Sequence, residues 1–192
     1  MSPFAFANDP LLRPSRRAFL GNSGLVLSGA AVALLAGRDV LAQKSGAATE
    51  GDVAILNAAL AAEFQAIAAY RVGAESGLLE KPVLALALTF QGHHGEHAGL
   101  LTQTVTKLGG KPVEAKAKYD FPVATLKTQA DVLRFAASLE KGAVSAYLGA
   151  VPKFANRDLS KAAASILGDE AMHWAILRNA LGEVPVPSAY VS

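Results

Sequence analysis

The chain has 192 residues, is 52% hydrophobic yet only 7% aromatic, lacks cysteine and carries a net charge of +2. One domain with a sizeable core fits this length, and an apolar content dominated by Ala and Leu favours helices, since both are strong helix formers, while alternating runs of β-branched residues are too scarce for a sheet. The missing cysteine excludes disulfides, thiolate zinc sites, iron–sulfur clusters and a cysteine nucleophile.

The first segment reads as an address. Ser15-Arg16-Arg17-Ala18-Phe19-Leu20 resembles the twin-arginine export motif, a moderately apolar stretch follows from Gly21 to Ala36, and Val40-Leu41-Ala42 has the small and aliphatic residues of a signal-peptidase site. Residues 1–42 are therefore read as a twin-arginine signal peptide and residues 43–192 as the folded domain. The expected location is the periplasm or the extracellular space. The apolar stretch falls short of the roughly 20 residues that cross a bilayer, so no membrane span is expected in the mature form. Arg13, Arg16, Arg17 and Arg38 outnumber Asp9 and Asp39, which leaves the mature part balanced in charge. A neutral domain offers no field for nucleic acid or for an anionic membrane.

Four helices follow. Ile55, Leu56, Ala59, Leu60, Glu63, Ile67 and Tyr70 recur at three- and four-residue steps, which puts them on one face of a helix over 52–75. Ser76-Gly77 ends it. Pro82 suits the first turn of a second helix running to about Leu108, and Gly109-Gly110 stops that one. The segment 111–128, with Pro112 and Pro122 and no apolar period, reads as a long crossover. A third helix is expected over 129–154, with Pro152 near its end. A fourth, capped by Asp158 or Ser160, is expected to run to Leu181 before Gly182. This order predicts an all-α fold, a four-helix antiparallel bundle with one long crossover.

The two halves repeat, and the repeat falls on polar residues. Glu63 precedes Tyr70 by seven positions, as Glu140 precedes Tyr147. Superposing Gly92-His93-His94-Gly95-Glu96-His97 on Gly168-Asp169-Glu170-Ala171-Met172-His173 pairs His94 with Glu170 and His97 with His173. Residues three apart on a helix point the same way, so Glu170 and His173 reach one point on the bundle axis. A carboxylate from each of two helices and a Glu-x-x-His pair from each of the other two is the ligand set of di-iron and di-manganese bundles. The candidate metal ligands are Glu63, His94, His97, Glu140, Glu170 and His173. Tyr70, Tyr147 and His93 are candidates to orient them. Glu96 reads as surface and Trp174 as core.

These motifs resemble the ferritin-like superfamily over about Gly51 to Leu181: Leu56-x6-Glu63-x6-Tyr70, Gly92-His93-His94-x2-His97, Glu140-x6-Tyr147 and Glu170-x2-His173. The likeness is greatest to exported ferritin-like domain proteins akin to the desiccation-related proteins, and more distant to rubrerythrin and manganese catalase. It implies two iron or manganese ions, or one, reacting with dioxygen or peroxide as ferroxidase, peroxidase or catalase, in oxidative stress or metal handling. It leaves room for a homodimer. With no cysteine for a rubredoxin-type centre, a peroxidase would need an external reductant. The chain departs from the family pattern at His94, where glutamate is expected. That substitution favours the alternative, a non-enzymatic stress or metal-binding bundle of the envelope with a mononuclear or relict site.

Overall fold

The computed structural model describes residues 46–191. The twin-arginine motif, the apolar stretch and the cleavage site lie outside the described residues. Within them the chain forms α1 (Gly46–Glu75), α2 (Lys81–Lys107), α3 (Gln129–Ala150) and α4 (Arg157–Ala180). Short 3-10 turns occupy Val123–Thr125 and Val151–Lys153, and no strand occurs among the described residues.

The helix ends follow from local chemistry. Pro82 sits in the first turn of α2, where its missing N–H is no loss. After Leu108 the chain turns through Gly109 at φ +79°, and the Gly110 N–H donates to the Val105 carbonyl at 2.9 Å, closing the carbonyls left open at a helix end. A Cβ on Gly110 would come within 2.6 Å of a Val53 methyl, so this position also fixes how closely the crossover approaches α1. Thr128 and Asp131 form a reciprocal capping box at the start of α3.

Three boundaries differ from expectation. α1 begins at Gly46 rather than at 52, because nothing in 47–50 interrupts a helix. Asp52 is then well inside α1 and has another role: its buried carboxylate accepts the backbone N–H groups of Ala155 at 2.7 Å and Asn156 at 3.0 Å. α3 stops at Ala150, four residues early, as Pro152 converts its last turn to 3-10 geometry. The cap of α4 is Asn156, whose side chain accepts the Asp158 N–H at 2.9 Å. Asp158 and Ser160 lie in the first turn, and Ser160 Oγ instead donates to the Val151 carbonyl at 2.7 Å.

α1 packs most extensively on α2, and α3 on α4. The two hairpins then lie face to face with α1 antiparallel to α3: Gly73 meets Val132, Tyr70 meets Glu140, Glu63 meets Tyr147, and Asp52 meets Ala155. The 111–128 crossover is held to α1 by Asn57, which donates to the Lys111 carbonyl at 3.0 Å and accepts from the Val113 N–H at 2.9 Å. Two apolar clusters fill the bundle. One gathers Leu56, Leu60, Leu101, Val105, Leu159 and Ile166; the other gathers Ala87, Phe90, Leu133, Ala137 and Leu177. The polar repeat lies between them. Trp174 is at the edge of the second cluster rather than inside it, half-buried, with Lys141 and Arg178 over its ring at 5.9 and 5.5 Å. Thr49–Glu75 in α1 is long and apolar enough to cross a membrane by length and composition.

Candidate metal centre

The structure brings all six proposed ligands to the bundle axis, one or two from each helix. Glu63, His94, Glu140, Glu170 and His173 are each at most 2% exposed, and His97 is half-buried. Their donor atoms form two groups. Glu63, His94, His97 and Glu170 make one; His94, Glu140, Glu170 and His173 make the other, with atoms in each group within 4.8 Å of one another. His94 and Glu170 belong to both.

The shared residues divide their atoms between the groups. Glu170 turns Oε1 toward His97 Nδ1 at 3.2 Å and Oε2 toward His173 Nδ1 at 3.6 Å. His94 places Nδ1 at 2.8 Å from Glu63 Oε2 and Nε2 at 3.3 Å from Glu140 Oε1. The repeat is thus a pseudo-two-fold in space, and on its axis an imidazole faces a carboxylate where two carboxylates would make the pattern symmetric.

Both tyrosines act as donors to carboxylates, by an exchange between hairpins. The Tyr70 hydroxyl on α1 donates to Glu140 Oε1 on α3. The Tyr147 hydroxyl on α3 donates to Glu63 Oε1 on α1 at 2.5 Å. Seven residues along a helix is about 10 Å, too far for a tyrosine to reach the glutamate of its own helix. Antiparallel pairing supplies the other one.

Sequence reasoning missed Asp169. Its Oδ2 lies 3.4 Å from His97 Nε2, 3.3 Å from His173 Nε2 and 3.3 Å from His93 Nδ1. The nitrogens of His97 and His173 that point away from the two groups therefore converge on one carboxylate, which fixes the orientation of both rings. His93 approaches His173 Nε2 at 2.9 Å and covers this cluster from the solvent side, and Phe90 stacks on His173 with ring centroids 4.0 Å apart. The signal for Asp169 was present in the glycine superposition, which pairs it with His93. Glu96 is exposed and turned away.

The electrostatics follow from carboxylates and imidazoles packed together in a buried space. Burial works to raise the Glu63 carboxyl, but the hydrogen bond from His94 and the close approach of His97 hold it at about 2. Glu140 is likewise lowered against burial by His173 and His94, whereas burial prevails at Glu170 and raises it. For the imidazoles, burial opposes charge, yet the carboxylates around them push His94 up to about 11, His97 to about 10 and His173 to about 9. Both tyrosine hydroxyls are pushed up, by burial first and by the carboxylates they serve second, so they stay protonated as donors.

Whether a metal fits is decided by unsatisfied atoms. His97 Nδ1, Glu140 Oε2, both oxygens of Glu170 and His173 Nδ1 are buried and make no hydrogen bond. Buried polar atoms are almost always paired, and leaving carboxylate oxygens unpaired in the interior is costly. All five atoms belong to the two groups and point inward, so the donor set fits metal ions of the kind that take oxygen and imidazole ligands. One consequence can be measured at Asp169. Asp169→Asn keeps the shape but weakens the acceptor for both rings, and should reduce metal affinity about 10–100-fold, read by competition with a chelator of known affinity.

The comparisons with known proteins agree with this architecture. The family model described as ferritin-like domain matches residues 51–183. Among solved structures, a conserved hypothetical protein, rv2844, from Mycobacterium tuberculosis is similar with a TM-score of 0.65 and 24% sequence identity, covering 74% of this chain and 99% of that one. That likeness shows the fold. No curated protein matches the sequence.

Proposed function

We propose that this chain, which belongs to the ferritin-like domain family, is an exported protein that holds two iron or manganese ions and uses them on dioxygen or peroxide. The observation that carries the reading is the set of five buried, unpaired donor atoms distributed over two groups that share Glu170 and His94. Glu63 and His97 would hold one ion, and Glu140 and His173 the other. Held there, iron or manganese would supply redox chemistry toward dioxygen or peroxide, and a peroxidase reaction would draw its electrons from an external reductant.

The chain's own residues set the conditions for that chemistry. Tyr147 holds Oε1 of Glu63, and Tyr70 holds Oε1 of Glu140. Oε2 of Glu140 is left without a hydrogen bond for the ion, whereas Oε2 of Glu63 is held by His94, which would have to yield it. Asp169 aims two imidazoles at once. The apolar clusters close the axis above and below the site. Elemental analysis of protein exported by its native host, followed by optical spectra under dioxygen or peroxide, tests the reading. Two equivalents of iron or manganese with a spectral change are expected; metal-loaded protein that is spectrally silent to both oxidants would overturn it.

A second reading has one observation in its favour. With an imidazole at 94 the site holds three carboxylates and three imidazoles, one negative charge fewer than the family pattern. That supports a single, redox-silent ion in a non-enzymatic bundle of the envelope. One tightly held zinc ion would select it.

Export rests on the sequence motif. Replacing Arg16 and Arg17 together by Lys should leave the precursor in the cytoplasm, seen by cell fractionation and by the mass of the uncleaved chain. Export undiminished in that variant would remove the twin-arginine assignment.

A further inference from the structure

The side of the site away from Asp169 is open. Between α1 and α3 runs a trough of about 630 Å³ whose walls include Ala58, Ala62 and Ala66 on α1 and Gly142, Ala146 and Gly149 on α3. Glu63, His94, Glu140 and Tyr147 are among its lining residues. It exists because the two helices are held apart at a fixed distance by the tyrosine–carboxylate bonds between them, while Ala and Gly have too little side chain to fill the gap. The space is far more than dioxygen or peroxide requires.

Its chemistry is one-sided. From Val53 to Tyr70 the only charged residue on α1 is the buried Glu63, and α3 carries no charge from Gly142 to Pro152. Within the most apolar stretch of α1, 33% is buried by the chain itself. Apart from Glu63, His94 and Glu140 the lining carries no charge before Lys153, and Gln65, Ser138, Ser145 and Tyr147 are its other polar residues. One end differs: Lys153 is the one lysine or arginine lining the trough, is exposed, and forms no ion pair among the described residues, whereas His94, also in the lining, is already paired with Glu63 and Glu140. Glu140, whose Oε2 is buried without a hydrogen-bond partner, belongs to the lining toward the other end. From Glu140 to Lys153 the helix and its 3-10 turn cover about 20 Å.

The geometry points to a binding site for a linear alkyl carboxylate, with its head group on Lys153 and its chain laid along the Ala and Gly walls toward Glu63 and Glu140. A straight chain matches walls made mostly of Ala and Gly, and Lys153, the one cation there not already paired with a carboxylate, sets its direction. The inference rests on the proposed metal centre only for what the end of the chain meets. Binding is therefore measured on metal-free and on metal-loaded protein, so that a failed metal reading leaves the trough testable.

The experiment is titration calorimetry with octanoate, decanoate, dodecanoate and decylamine. Saturable binding of one carboxylate is expected, strengthening up to about fourfold for each added methylene, with decylamine at least tenfold weaker than decanoate. Lys153→Glu should reverse the order of decanoate and decylamine. Ala146→Trp should block both while leaving circular dichroism and metal content as in the wild type. Equal affinity for the amine and the carboxylate, or binding indifferent to Ala146→Trp, overturns the proposal. So does sedimentation of the wild type as a dimer that Ala146→Trp dissociates, which would make the trough an interface between two copies.

Discussion

Glu170→Gln should abolish binding of both ions at once. Glu170 is fully buried and is the one carboxylate in both donor groups. An amide keeps its volume but removes the charge that each ion would share, and the loss should exceed the about 10–100-fold typical of residues that only support a ligand. Glu63→Gln and Glu140→Gln should each weaken one ion, because each belongs to one group. Stability separates the two roles of the side chain. With metal at about 100 times its dissociation constant the wild type gains about 2.7 kcal/mol, a rise in melting temperature of about 5–10 °C for a domain of this size. Glu170→Gln should lose that rise. Without metal it should melt about as the wild type does, since both oxygens of Glu170 are buried without a hydrogen bond and its carboxyl is raised by burial, while the approaches of His97 and His173 that it gives up are long or poorly aligned. Two ions retained by Glu170→Gln, counted by elemental analysis, would break the assignment of a shared ligand.

His94→Glu should act in the opposite direction. It restores the second Glu-x-x-His pair and adds one negative charge on the pseudo-two-fold axis. A unit charge about 4 Å from an ion is worth up to about 4 kcal/mol at the effective dielectric of a protein. Even a third of that tightens the second ion about tenfold. The same change should lower the melting temperature of the metal-free protein. His94 contributes the hydrogen bonds to Glu63 and Glu140, and the variant would set four carboxylates against two imidazoles in a buried space. Melting curves with and without metal should therefore cross relative to the wild type. If the variant bound metal no more tightly than the wild type, the charge of the set would not be what limits the second ion.

Much of this was legible in the sequence because the polar residues repeat. A buried charge is expensive, so Glu63 and Glu140 recurring on apolar helix stripes pointed inward, and the three-residue spacing of Glu170 and His173 fixed a common direction. The exchange of tyrosines was not legible. Spacing along one helix says nothing of which residue on another helix it meets, and the pairing of 70 with 140 and 63 with 147 depends on antiparallel register. Asp169 was hidden for a related reason. An acidic residue beside a ligand on an exposed helix face normally means solvent, and its role appears only when α2 brings His93 and His97 alongside. Helix ends moved where local chemistry overrode pattern, at Pro152 and at Asn156.

The exchange of tyrosines also governs the order of assembly. Glu63 on the first hairpin is completed by Tyr147 on the second, and Glu140 on the second by Tyr70 on the first. Neither hairpin contains a finished half of the site. An ion meeting either one alone would find a carboxylate without its brace and, on the first hairpin, imidazoles without Asp169. Metal affinity should therefore report on hairpin docking, and bound ions would act as a lock that closes after the bundle has formed rather than as a nucleus around which it forms.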